Sequence, residues 1–321
     1  MGIVSRFAPS PTGRLHLGHA YSAVRAHDLA RAANGQFLLR IEDIDGTRSR
    51  DDYVGGIEED LRWLGLTWDG PVLRQSARMS VYAEALEKLQ GMGLVYPCFC
   101  TRAEIAASAS APHGLEGPVY PGTCRHLSEA ERTARIGEPH CWRLDMRAAL
   151  KSCAPSPLAG EGRGEGAGRL GGHLVAARHP TLSQPSPVKG EGLWWHDASA
   201  GWVHADPTAA GDVVLARKET PTSYHLAVTV DDAAQGVTDV VRGVDLFEAT
   251  HVHRLLQALL GLSTPRYHHH ALLIGPDGKR LAKRNGARPL VELRAEGADP
   301  AQLLAALRAG QLPIGVTTAR A

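Results

Sequence analysis

The chain opens by alternating apolar runs with glycine-containing polar loops. Ile3 to Phe7 reads as a strand, Ala8 to Gly18 as a loop, the stretch to about Ala33 as a helix, and Phe37 to Ile41 as a second strand. Two strands joined through a helix predict a βαβ opening, because parallel strands need a long crossover. Asp51 to Leu64 and Val81 to Met92 are predicted helices; in the second, Tyr82, Leu86 and Leu89 recur on one face. Ser128 and Glu131 form a candidate capping box for another.

From Cys153 to Gly192 this patterning stops. The segment is rich in Gly, Pro and Ser, and Pro155 to Gly162 is echoed imperfectly by Pro185 to Gly192. With few large apolar side chains to bury, it is expected to be a mobile insert outside the core. Beyond it, the β-branched runs Val213 to Ala216, Tyr224 to Val230 and Val237 to Arg242 predict strands that complete the sheet. A helix over Ala249 to Leu260, a strand over Ala271 to Ile274 and a helix over Pro300 to Ala309 follow.

Composition narrows the function classes. The 321 residues suffice for a substantial core, and 43% hydrophobic with 21% charged residues is ordinary for a globular enzyme. No apolar run approaches the roughly 20 residues a membrane helix needs, so no membrane partner is expected. Met1 to Arg6 leads straight into a strand with no leader-like pattern, which predicts a cytoplasmic protein with reduced thiols. A net charge of +1 does not announce a nucleic-acid binder, so any RNA contact must rest on local patches.

The densest candidate chemistry lies where the first strand gives way to the first helix, at Pro9-Ser10-Pro11-Thr12-Gly13-Arg14-Leu15-His16-Leu17-Gly18-His19. Free amides and the positive dipole end at a helix start attract phosphate; Gly18 permits close approach, and two imidazoles can donate to phosphoryl oxygens. In isolation, the histidines read more simply as polar residues at a helix start. Cys98-Phe99-Cys100, Tyr120 and Cys124 offer three thiolates and a phenol, with His126 near, a donor set that suits zinc; alternatively the thiols pack as small hydrophobes. His268-His269-His270 has no partners at ligand spacing and is read as structural.

His16-Leu17-Gly18-His19, preceded by Arg6-Phe7-Ala8-Pro9-Ser10-Pro11-Thr12-Gly13, resembles the HIGH signature of class I aminoacyl-tRNA synthetases, specifically the glutamyl branch. Gly278-Lys279-Arg280-Leu281-Ala282-Lys283-Arg284 resembles a diverged KMSKS loop. Arg280 stands for its first lysine, Ala282 for its serine, and Lys283 matches its second lysine. The run Asp231 to Gly243 is also family-like.

The resemblance implies an α/β fold, a Rossmann-like doubly wound parallel sheet with an inserted zinc-binding, acceptor-binding subdomain. The halves of the catalytic fold would be 1–95 and 221–321, the subdomain 96–152 with 193–220, and the mobile insert 153–192. It implies catalysis by His16, His19 and Lys283, and ATP binding by His16, Gly18, His19, Arg280 and Lys283. Glutamate would be bound by Arg6, Ala8, Ser10, Glu42, Tyr224 and Arg242. Read locally, Glu42 and Arg40 could instead be a strand-end ion pair, and Arg242 could pair with Asp245.

The implied cofactors are ATP as substrate, Mg²⁺, and one structural Zn²⁺ on Cys98, Cys100, Tyr120 and Cys124, with His126 competing as fourth ligand. Only residues 285–321 follow the second motif, too few for an anticodon-binding domain. That points to the truncated, glutamyl-queuosine branch, which activates L-glutamate without tRNA and attaches it to queuosine in tRNA(Asp); the alternatives are a truncated glutamyl-tRNA synthetase charging tRNA(Glu) and a nonenzymatic paralogue that binds glutamate or tRNA. A monomer is expected.

Overall fold

The computed structural model describes residues 2–107, 113–114, 117–153, 192–218, 220–275, 281, 287–310 and 317–319. Its centre is a sheet of seven strands in the spatial order Leu73–Arg74, Gln36–Ile41, Val4–Phe7, Asp239–Gly243, Arg266–His270, Trp194–Asp197 and Gly201–His204. Neighbours run parallel except the last two, which form an antiparallel hairpin. The strand order reverses at Val4–Phe7: the chain first builds outward on one side, then returns to add Asp239–Gly243 on the other. Such a switch point leaves a crevice beyond the carboxyl ends of the strands, and open α/β sheets bind ligands there.

The helix Leu17–Ala32 covers the switch. Its inner face is made of small residues, with Ala20, Ala23, Ala26 and Ala30 fully buried, so its axis lies close to the sheet. Phe37, Leu39 and Ile41 fill the space beneath it, and Leu61, Leu64 and Leu66 extend the same cluster. A second apolar cluster joins the helices Met79–Gly91, Tyr224–Ala234 and Ala249–Leu260. It also reaches Leu144 and Leu215 in a separate three-stranded antiparallel sheet, Val214–Arg217, Cys141–Leu144 and Val95–Cys98.

Several expectations change. Residues Tyr224 to Val230, predicted as a strand, begin the helix Tyr224–Ala234, capped by the Ser223 hydroxyl. Leu226 through Asp232 are all buried in it, so the polar–apolar stripe that marks a helix is missing and its β-branched residues mislead. The sheet is completed by Arg266–His270, which takes in the whole histidine run, whereas Leu272–Ile274 pairs with Thr317–Ala319 outside it. The span 193–220, expected in the inserted subdomain, divides. Trp194–Asp197 and Gly201–His204 join the large sheet, with Trp195 fully buried against Tyr267, and only Val214–Arg217 joins the small one. Residues 154–191 of the expected insert lie outside the described residues, as do Arg280 and Lys283 of the second motif.

Candidate active site

The loop after Val4–Phe7 ends at His16, the N-cap of the long helix. His16 Nδ1 accepts the Gly18 amide at 3.1 Å, and His19 Nδ1 accepts the His16 amide at 3.3 Å. The two rings stack with centroids 3.8 Å apart. Each Nδ1 therefore uses its lone pair on a backbone N–H, which leaves the proton of a neutral ring on Nε2. Both imidazoles become donors through Nε2 at the positive end of a helix.

A Cβ at Gly18 would sit 3.1 Å from His16 Cε1 and 3.9 Å from the Leu281 carbonyl. The second motif thus reaches the first: Leu281 donates its amide to Leu273 and lies over Gly18. Further along, Leu290 donates to the Leu15 carbonyl, and His16 bridges Pro289. A cleft of about 440 Å³ opens beside His16, with Arg14, Tyr53 and Arg288 in its wall.

Three predicted binding residues stand at the carboxyl ends of adjacent strands: Arg6, Glu42 just past Ile41, and Arg242. Tyr224, at the first turn of its helix, meets Arg242 Nη1 with its hydroxyl at 3.3 Å. Ala8 is half-buried and Ser10 exposed on the loop that follows the first strand.

Beneath this group lies a buried charge network that sequence reasoning did not resolve. Arg6 Nε donates to Asp232 at 3.0 Å, and Arg40 Nη2 lies 2.8 Å from the same carboxylate and 3.6 Å from Glu42. Asp231, next in the helix, accepts from Gln75 at 2.8 Å, Arg78 at 2.7 Å and Tyr82 at 2.7 Å. Burial alone would lower the pKa of Arg40, but Asp232, Glu42 and Asp231 raise it further. Burial pushes the Glu42 carboxyl up, and Arg40 and Arg6 only partly oppose this. Burial likewise raises the Tyr224 phenol, which stays neutral.

Arg242 is enclosed on its other side. Its Nε donates to His269 Nε2 at 3.1 Å, and Nη2 reaches the Leu246 carbonyl at 3.1 Å and Thr250. Nη1 also meets His253 Nδ1 at 3.3 Å. The local alternative of an Arg40–Glu42 contact at the strand end is present, but as one edge of this network. The sequence signal for it was the acidic pair Asp231-Asp232 inside the family-like run; its partners come from four distant segments.

The cysteines converge elsewhere, at the end of the small sheet. The Sγ atoms of Cys98, Cys100 and Cys124 all lie within 4.8 Å of one another, with Cys100 and Cys124 3.5 Å apart. The Tyr120 hydroxyl is 3.6 Å from Cys100 Sγ and accepts the Cys124 amide at 2.7 Å. Cys141 faces Cys98 across the strand pair. Metal-bound thiolates in a tetrahedral shell sit about 3.8 Å apart. The cluster can therefore hold a metal ion. By contrast, His268 and His269 turn to different carboxylates, Asp239 at 2.8 Å and Asp197 at 2.7 Å, and so do not converge on one ligand site.

The family model for class I tRNA synthetases of the E and Q type, catalytic domain, matches residues 2–161 and 179–316. The chain belongs to this family. Within it, the chain is 49% identical over 310 residues to a glutamyl-Q tRNA(Asp) synthetase of Rhodobacter capsulatus, covering 94% of this chain and 98% of the relative. A protein of the same name from Symbiobacterium thermophilum is 42% identical over 93% of this chain and 83% of its own length. Among solved structures, a glutamate tRNA ligase from Elizabethkingia meningosepticum, in complex with its amino acid, superposes with a TM-score of 0.65 at 26% identity. That match covers 89% of this chain, which spans about half, 53%, of the ligase.

This synthetase is therefore a ligase of the aminoacyl-tRNA type, on a Rossmann-like, mostly parallel sheet. Class I synthetases use ATP and Mg²⁺. No helix among the described residues is long and apolar enough to cross a membrane.

Proposed function

We propose that the protein activates L-glutamate with ATP, giving glutamyl-adenylate and pyrophosphate, and transfers the glutamyl group to queuosine in the anticodon loop of tRNA(Asp). The observation that carries the reading is the convergence of Arg6, Glu42, Arg242 and Tyr224 at the carboxyl ends of the strands flanking the switch point. Glu42 is a largely enclosed, partly exposed carboxylate whose desolvation opposes its charge, so the ammonium of an amino acid arriving there supplies the compensating cation. Arg242 is a buried cation whose hydrogen bonds run to a phenol, two imidazoles, a hydroxyl and a carbonyl. A carboxylate would meet its undiminished charge. Ala8 and Ser10 would close the pocket from the loop side.

Activation then requires the α-carboxylate to attack the α-phosphorus of ATP in line. The Nε2–H groups of His16 and His19 donate to phosphoryl oxygens as charge shifts toward pyrophosphate, and the Gly18 backbone lets the nucleotide approach. Arg280 and Lys283 would add cationic stabilisation to the triphosphate. Mg²⁺ supplies further neutralisation of the triphosphate when bound. A structural Zn²⁺ on Cys98, Cys100, Cys124 and Tyr120 would tie the end of the small sheet, in an acceptor-binding subdomain built on 96–152. The acceptor assignment rests on the names of the relatives, 49% and 42% identical over nearly the whole chain. We further propose a cytoplasmic, monomeric enzyme.

The test is glutamate-dependent exchange of pyrophosphate into ATP without tRNA, followed by labelled glutamate transfer to tRNA(Asp) with and without queuosine. Exchange plus queuosine-dependent labelling is expected. Labelling of tRNA(Glu) in its place would reassign the acceptor, and no exchange under any condition would overturn the reading.

A further inference from the structure

Arg242 has five N–H donors, and the structure gives each an acceptor inside the protein. Nε goes to His269, Nη2 to the Leu246 carbonyl and the Thr250 hydroxyl, and Nη1 to Tyr224 and His253. A substrate carboxylate can be bound only by exchange. The longest bonds, both 3.3 Å, are those of Nη1 to Tyr224 and His253, and Tyr224 can turn its own hydroxyl proton to the same carboxylate. The bonds of Nε and Nη2 hold the opposite edge of the guanidinium.

The anchoring edge is itself supported. His269 Nδ1 lies 2.7 Å from Asp197 Oδ2, and its side chain is only 1% exposed. Asp197, fully buried, is an acceptor only, so the proton sits on Nδ1 and the Nε2 lone pair faces Arg242. Burial lowers the His269 pKa, which keeps the ring in that neutral form. Trp195, Phe247 and Tyr267 pack around the ring with centroids 5.9, 5.1 and 5.8 Å away, restricting its rotation.

We propose that Asp197 and His269 are positioning residues for glutamate: the carboxylate sets the imidazole tautomer, and the imidazole holds the Nε edge of Arg242 so that the Nη1 edge presents to the substrate carboxylate. This rests on the assignment of Arg242 to the glutamate pocket. Asp197 comes from the strand Trp194–Asp197 and His269 from Arg266–His270, so the device runs through two neighbouring strands to Arg242, whose strand lies beside the switch-point strand Val4–Phe7.

The experiment compares the full chain with His269→Phe, His269→Gln and Asp197→Asn, reading the KM for glutamate, the KM for ATP and kcat in pyrophosphate exchange. Phe fills the aromatic box without an acceptor; Gln restores an acceptor for Arg242 and a donor for Asp197. Asn at 197 can donate to Nδ1 and drive the proton to Nε2, against the Arg242 N–H. We expect the glutamate KM to rise about tenfold or more in His269→Phe and Asp197→Asn, the ATP KM to stay within about twofold, and His269→Gln to recover most of the loss.

An unchanged glutamate KM in His269→Phe overturns the proposal. So does a parallel loss in both KM values and kcat, the mark of a merely structural role. Asp197 also caps the turn at 199–200, so His269→Phe is the deciding variant if Asp197→Asn fails to fold. If the parent exchanges no pyrophosphate, the activation reading fails. Calorimetric glutamate affinity of the same variants then still decides the positioning role.

Discussion

His16 Nδ1 and the Gly18 amide are joined by a 3.1 Å hydrogen bond that decides where the imidazole carries its proton. The cap of the helix and the donor to phosphate are thus one side chain. Replacing His16 with Ala is expected to lower kcat for exchange by about 10²–10³, the scale of losing one preorganised donor to a developing anion. The KM for glutamate should change little. A kcat within threefold of the parent would remove His16 from the chemistry.

Gly18→Ala tests the same geometry differently. The added methyl would lie 3.1 Å from His16 Cε1, so the ring must shift by a few tenths of an ångström. Alanine favours helix, so stability should hold or rise slightly while kcat falls. A fall in the unfolding midpoint with unchanged kcat contradicts this account.

Asp231 is expected to be a stability residue first. It is fully buried and accepts from Gln75, Arg78 and Tyr82, binding the helix Tyr224–Ala234 to the helix Met79–Gly91 and to the turn just before it. Asp231→Ala strands a guanidinium and a phenol, at a cost of about 3–5 kcal/mol. Denaturant unfolding measures it; a loss below about 1 kcal/mol would show that water replaces the carboxylate.

Asp60 predicts a pH signature. Burial pushes its carboxyl up to about 6, against the attraction of Arg294 and Arg14. A folded pKa above the unfolded value of 3.8 means that the native state holds the proton more tightly. The resulting stabilisation is complete below pH 3.8 and is lost as the pH rises through about 6. Asp60→Asn removes this titration. The stability of the variant relative to the parent should therefore climb between pH 4 and pH 7 and level off above it. A constant difference across that range would show that Asp60 titrates normally.

The cysteine cluster predicts a metal stoichiometry. The purified chain should carry about one zinc ion, and Cys124→Ser should lose it. The cluster sits on the small sheet and the glutamate residues on the large one, so exchange should persist in the metal-free variant while transfer to tRNA declines. Metal analysis alongside both activities checks this. Full metal content in Cys124→Ser would exclude Cys124 as a ligand.

The sequence alone determined what depends on neighbours along the chain. Pro9 to His19 specified a glycine-containing turn, a helix start and two imidazoles one turn apart, and the spacing of Cys98, Cys100 and Cys124 pointed to a shared site. Tertiary structure decided what depends on burial and on partners far away. Tyr224 to Val230 reads as a strand because a helix buried on every side carries no 3.6-residue stripe, leaving only its β-branched residues visible. Asp231, Asp232 and Asp197 look like surface acids until the fold brings Arg78, Arg6, Arg40 and His269 against them. Local spacing encodes which residues share a face. Which buried charge meets which counter-charge is set by the order in which distant strands enter the sheet, and that order places Arg242 between Arg6 and His269.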